Sequence, residues 1–104
     1  MKVIVTGTDQ HGIADAIEAE SHTVTTVDIG NGESLDEAGI EATDVYLVTE
    51  MAQATSIAVA KELNPDLRIV VYADGSLPEF ATRQADLVID PELLDVEAVA
   101  EELG

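Results

Sequence analysis

The chain has 104 residues, 22 of them acidic and four basic (Lys2, Lys61, Arg68, Arg83), for a net charge of −18, with no cysteine and 46% hydrophobic residues. The missing thiols exclude disulfides, thiolate metal ligands and a cysteine nucleophile, and four bases cannot build the phosphate-tracking stripe of a duplex nucleic-acid binder. No apolar run reaches the roughly 18 residues of a membrane span, and the N-terminus leads straight into a strand pattern without a signal-peptide layout, so one cytoplasmic domain over residues 1–104 is expected.

Lys2–Thr6 is a nearly unbroken β-branched run ending at Gly7, the pattern of a strand buried on both faces in the middle of a parallel sheet. Gly12–Glu20 reads as a helix with Ile13, Ala14 and Ile17 on one face. Thr23–Asp28 follows as a second strand, with Val24, Val27 and Ile29 supplying its apolar positions. Gly30-Asn31-Gly32 marks a turn, and Ser34 to Glu37 has capping-box spacing for a short helix stopping at Gly39. Val45–Val48 is a third strand. Glu50–Leu63 is the longest helix, with Ala54, Ile57, Ala58 and Leu63 inward and Asn64-Pro65 as its stop. Leu67–Ala73 is a fourth strand, a helix capped near Ser76 runs to about Gln84, and Leu87–Ile89 is a fifth strand. Asp90 caps a last helix with Pro91 in its first turn and Leu93, Leu94, Val96, Val99 and Leu103 packing inward.

Strands alternating with helices imply right-handed crossovers and a three-layer, Rossmann-like α/β domain with a parallel five-stranded sheet of order 2-1-3-4-5. Its switch point lies between strands one and three, and ligands of such sheets sit there, outside the carboxyl ends of the strands. That places Gly7, Thr8, Asp9, His11 and Gly12 on one side and Thr49 and Glu50 on the other, with Asp28 flanking. Asp28 lies 21 residues after Gly7, the spacing of a ribose-binding acid; a solvated acid ending a strand is the simpler reading. His11 is either a ligand contact, a metal ligand with Asp9 and Asp28, or an exposed loop histidine bonded to Asp9. His22 lies away from the switch point. Thr49 is expected to cap the long helix and Glu50 to supply a first-turn charge, or both to touch a ligand. Asp74, Ser76 and Arg83 fall near the same edge.

Leu35 to Glu92, with "EAGIEATD" before a strand, a "T-E" step opening a long helix, "ELNPDLRIVVYAD" and "ADLVIDPE", resembles the second half of the N-terminal Rossmann domain of TrkA-type regulators of potassium conductance, and Val3–Asp28 is similar to the first half. The resemblance implies a nucleotide cofactor such as NAD or ATP, and a regulatory role. Three features depart from that family. Its G-x-G-x-x-G turn keeps Gly7 and Gly12 but has Asp9 at the middle position. At roughly 4 Å and an effective dielectric near 20, each carboxylate–phosphate repulsion there costs about 4 kcal/mol before screening. Only six residues separate Asp28 from Leu35, where the family carries a helix and a strand beside the adenine. The family's C-terminal ligand-binding domain is not expected to have a counterpart within these 104 residues.

Gly7-x4-Gly12 has P-loop spacing, but Ile13-Ala14 stand where Lys-Ser/Thr is required, and Tyr46 and Tyr72 lack the lysine four residues on that a short-chain dehydrogenase uses. No nucleophile, base and orienting group can be assembled, so no catalytic residue and no metal site is assigned. The lysine-poor, alanine-rich, acidic composition resembles that of cytosolic proteins working in multimolar salt, where screening removes the self-repulsion of −18 charges. The expected function is a small non-catalytic module that binds a nucleotide or metabolite in a regulatory role. The alternative is a degenerate domain acting through protein–protein contact, with the uncharged run Thr23–Val27 as a sheet edge open to a homodimer.

Overall fold

The computed structural model describes residues 1–9 and 11–103, the Phe80 side chain excepted. Among these residues the strands are β1 (Lys2–Thr6), β2 (Thr23–Val27), β3 (Val45–Val48), β4 (Arg68–Tyr72) and β5 (Leu87–Ile89). The helices are α1 (Ile13–Ala19), α2 (Gly32–Glu37), α3 (Thr55–Leu63), α4 (Glu79–Thr82) and α5 (Val96–Leu103), with 3-10 turns at Ile40–Ala42 and Met51–Gln53. All pairings are parallel and the order is β2-β1-β3-β4-β5, as the alternation of patterns requires.

The period-2 alternation of the central strands sorts their side chains onto two faces. Ile4, Tyr46, Val48, Ile69 and Val71 pack with Leu35, Ile57 and Ala60, which come from α2 and α3. Val3, Val5, Val45, Leu47 and Val70 pack with Ile13 and Ile17 of α1 and Val99, Ala100 and Leu103 of α5. Two cores on one sheet make the three layers. Asn64 closes the first core at its lower end. Its side-chain amide donates to the carbonyls of Ile40 (2.9 Å), Thr43 (3.1 Å) and Glu41 (3.4 Å), and its Oδ1 accepts from the Asp66 amide (3.1 Å).

Several local readings shift. α2 starts at Gly32, because Asn31 and not Ser34 is its cap: Asn31 Oδ1 accepts from the Ser34 amide at 2.8 Å. The long helix is cut, and α3 begins only at Thr55. The Gln53 side chain turns away to accept from the Gly30 amide (3.0 Å), while Ser56 Oγ donates to the Gln53 carbonyl (2.5 Å), which fixes a 3-10 turn ahead of the helix. Ala58 consequently faces solvent, and Ala54, Ile57 and Ala60 are buried. α4 starts after Pro78, whose carbonyl receives the Thr82 hydroxyl (3.1 Å); Ser76 caps nothing. Asp90 holds only a turn, accepting from the Glu92 amide (2.9 Å), and α5 is capped by Asp95 through the Ala98 amide (2.9 Å). That change of start puts Leu93 and Leu94 outside. Ile29 is also exposed, since β2 ends at Val27.

The charge is scarcely neutralised within the fold. Among the described residues the ion pair found is Arg83–Glu79 at 3.9 Å, both ends exposed. Lys61 Nζ donates to the Leu67 carbonyl (2.8 Å) and Lys2 Nζ to the Gly39 carbonyl (3.4 Å). Stability is therefore expected to rise steeply between about 0.1 and 1 M KCl, as the Debye length falls from about 10 to 3 Å. Thermal melts across that range check it, and a flat profile would contradict it. No helix among the described residues is long and apolar enough to cross a membrane.

Candidate functional site

At the switch point the loops after β1 and β3 are locked together. Gly7 (φ 111°) turns the chain out of β1, its amide held by the Val27 carbonyl at 3.0 Å. Opposite, the Thr49 amide (3.0 Å) and hydroxyl (3.2 Å) both donate to the Thr6 carbonyl. Thr49 thus bonds back to β1 and does not cap a helix. Glu50 holds the cap position of the 3-10 turn, and its Oε1 accepts the Thr8 amide at 2.5 Å. The loops are so close that a Cβ on Gly7 would lie 2.6 Å from Thr49 Oγ1 and 3.2 Å from Glu50 Cγ. The Gly7 backbone and the loop after β3 are thus in direct contact at the switch point, where a doubly wound sheet ordinarily admits a ligand.

Asp9 explains the altered glycine turn. Its Oδ1 accepts the Ile13 amide (2.7 Å) and its Oδ2 the Ala14 amide (3.2 Å). These are free first-turn donors of α1, the groups that face a pyrophosphate in a dinucleotide fold. Gly12, the backbone cap of α1 at φ 75°, has no side chain to offer them. The carboxylate that sequence reasoning set against a phosphate is the helix's own cap. Asp9→Ala is expected to cost about 1 kcal/mol, read by urea denaturation. Asp9→Asn retains one acceptor and should lose about half of that.

A pocket of about 150 Å³ opens beside this junction, above β3 and β4. It gathers Thr8, His11, Thr49 and Glu50 with Met51, Tyr72, Asp74 and Pro91. Gly7, Asp9, Gly12 and Asp28 do not line it; Asp28 is an exposed acid at the end of β2. His11 does not bond to Asp9 but meets the Tyr72 ring edge-on, with centroids 5.8 Å apart and planes at 77°. No three His, Asp or Glu side chains among the described residues are grouped to hold a metal ion, so His11, Asp9 and Asp28 form no such set. No lysine or arginine lines the pocket.

Tyr72 and Pro91 escaped the sequence reading. Tyr72 was legible only as an apolar strand position, although a tyrosine closing a strand at the carboxyl edge has its hydroxyl beyond the sheet. That hydroxyl donates to the Leu94 carbonyl at 2.7 Å, tying the pocket wall to the segment ahead of α5. Burial, with Asp95, Glu97 and Asp74 nearby, raises its pKa above that of an ordinary phenol. Hydrogen bonding to the Thr8 side chain and amide lowers that of Glu50 below the ordinary glutamate range. A depressed carboxylate adds stability above its unfolded pKa and loses it as pH falls through the folded value. The Thr8 amide resonance is therefore expected to titrate with a midpoint below that of an ordinary glutamate, and Glu50→Gln should abolish that titration.

The model of a family of unknown function, DUF7126, matches residues 3–103. No curated protein matches the chain in sequence. In structure it is similar to HP1043, an orphan response regulator of H. pylori, at 18% identity over 99% of this chain and 92% of that one, with a TM-score of 0.76. It is also similar to an atypical orphan response regulator described as revealing a phosphorylation-independent regulatory mechanism (18%, 98% and 91%, TM-score 0.69). The TrkA-N domain of the inner membrane protein ybaL from Escherichia coli matches at 16% identity over 98% and 93%, with a lower TM-score of 0.64. At these identities the likeness is one of fold. The Rossmann-like expectation holds, and the TrkA type is not singled out within it.

Proposed function

The chain belongs to the DUF7126 family, whose function is unknown, and on that footing we propose that it is a small regulatory module that works by binding another protein, without catalysing a reaction or holding a dinucleotide. One observation carries this reading: the phosphate-facing end of the fold is filled by its own side chains, Asp9 on the amides of α1 and Glu50 on that of Thr8. The pocket beside it, about 150 Å³, is half the lower end of the roughly 300–1,000 Å³ of drug-sized ligand sites. It also offers no cation to a phosphate. The similarity to response regulators, one of them described as acting without phosphorylation, supports a regulatory role. The resemblance to potassium-conductance regulators contributes the fold. Residues 1–104 are read as one domain, supported by two cores that share one sheet.

Thermal shift with NAD(H), ATP, AMP and cyclic nucleotides in multimolar KCl tests the reading. A ligand at 100 times its Kd stabilises by about 2.7 kcal/mol, so a melting shift of that size with any of them overturns it. No shift, together with a specific partner whose binding survives high salt, supports it. A second reading rests on the pocket that joins His11, Glu50 and Tyr72: a metabolite of a few heavy atoms, without phosphate, bound there as the regulatory signal. A fragment screen by NMR with shifts at Thr8, His11 and Tyr72 would support it.

A further inference from the structure

At the edge of the sheet opposite β2 the protein leaves apolar side chains uncovered. A groove of about 300 Å³ runs between β5 and α5, lined by Leu87, Ile89, Leu94, Ala98, Glu101 and Glu102. Beside it Leu93 is 80% exposed, Val88 50% and Leu94 40%. These three, within seven residues of one another, stand out in a chain whose other large apolar side chains are mostly buried. Isolated exposed leucines need no explanation, but an apolar groove with adjoining exposed leucines marks a binding surface. β5 is also the last strand of the sheet, paired on one side only.

Charge selects the occupant. Glu101 and Glu102 line the groove itself, and the segment that carries it, residues 84–103, contains seven Asp and Glu and no Lys, Arg or His, so the apolar floor lies in acidic surroundings. A second copy of this chain would bring Glu101 and Glu102 against an equally acidic surface, which is costly wherever salt does not screen it. The β2 edge, Thr23–Val27, offers a competing surface. We propose that the β5–α5 groove docks a partner segment that presents a few apolar anchors flanked by Lys and Arg, in the manner of an amphipathic helix laid in a groove. The surface gives the protein-binding reading above its location and the chemistry of its partner, and it rests on that reading. The apolar anchors hold at high salt, where burial strengthens, and the basic flanks add affinity as salt falls.

The probe is a helical peptide of about 18 residues with leucines at i, i+3, i+4 and i+7 and lysines elsewhere, titrated into the 15N-labelled protein at 0.3 and 2 M KCl, concentrations set by the range over which screening changes. Shifts should concentrate at residues 87–94 and 98–102. Ala98→Glu, which fills the groove floor, and Leu93→Ser, at an exposed position, should each weaken binding about tenfold with unchanged melting temperatures. A peptide with glutamates for the lysines should not bind, and one with its leucines scrambled should bind weakly. Shifts spread evenly over the acidic surface, equal binding of the scrambled peptide, or variants that bind as well as the parent overturn the proposal. So does dimerisation in sedimentation that Leu93→Ser abolishes. Shifts along Thr23–Val27 would defeat the groove and leave the protein-binding reading standing, whereas stabilisation by a nucleotide would defeat that reading itself.

Discussion

Gly7→Ala is expected to lower stability by about 3 kcal/mol, and Gly12→Ala by only about 1 kcal/mol. Both glycines have positive φ, 111° and 75°, so both variants strain the backbone. They differ in what the added methyl meets. At Gly12 no atom of the described residues lies within 4 Å, whereas at Gly7 the methyl strikes Thr49 Oγ1 and crowds Glu50. Relief requires moving the loop after β3, which breaks the Thr49 bonds to the Thr6 carbonyl and the Glu50 bond to Thr8. Urea denaturation at fixed KCl gives both values. Equal costs would mean that the two loops are not interlocked.

Asn64→Ala should cost about 3 kcal/mol, because it removes a set of largely buried hydrogen bonds at once and leaves the Thr43 carbonyl without its donor, while that of Ile40 keeps the Thr43 amide (3.2 Å). One side chain serves the backbone at Ile40, Glu41 and Thr43 and receives the Asp66 amide, so it ties the turn before β3 to the turn before β4. Asn64→Asp should cost more, since its second oxygen would face three carbonyls with a charge and no proton. Equilibrium unfolding gives the magnitude, and faster amide exchange confined first to residues 40–44 and 66–68 would locate it. A loss below about 1 kcal/mol would show that water replaces the amide there.

The sheet could be read in advance because its cause is local. Val3–Val5, Val45–Val48 and Ile69–Val71 are apolar on both sides, a pattern that suits only interior parallel strands. The edges of helices were harder because tertiary bonds decide them. Nothing in the run from Glu50 to Leu63 announces that Gln53 will turn to Gly30 and shorten the helix. Leu93 and Leu94 look like core residues until the cap moves from Asp90 to Asp95. Of the site, the loops at the switch point were legible from strand order alone, and Thr8, His11, Thr49 and Glu50 do line one pocket. Asn64 read as a helix stop; its hold on a turn 21 to 24 residues earlier was invisible without the fold.

Asp9 has a consequence for how this molecule can be informed. In a dinucleotide fold the turn after the first strand is a sensor, empty or full according to what surrounds it. Here two of those donors, the Ile13 and Ala14 amides, are occupied in the fold by a group that cannot diffuse away. A place that is always full reports on no concentration. On the protein-binding reading proposed above, the signal arrives elsewhere, and the helix-facing side of this turn is a fixed part of the frame.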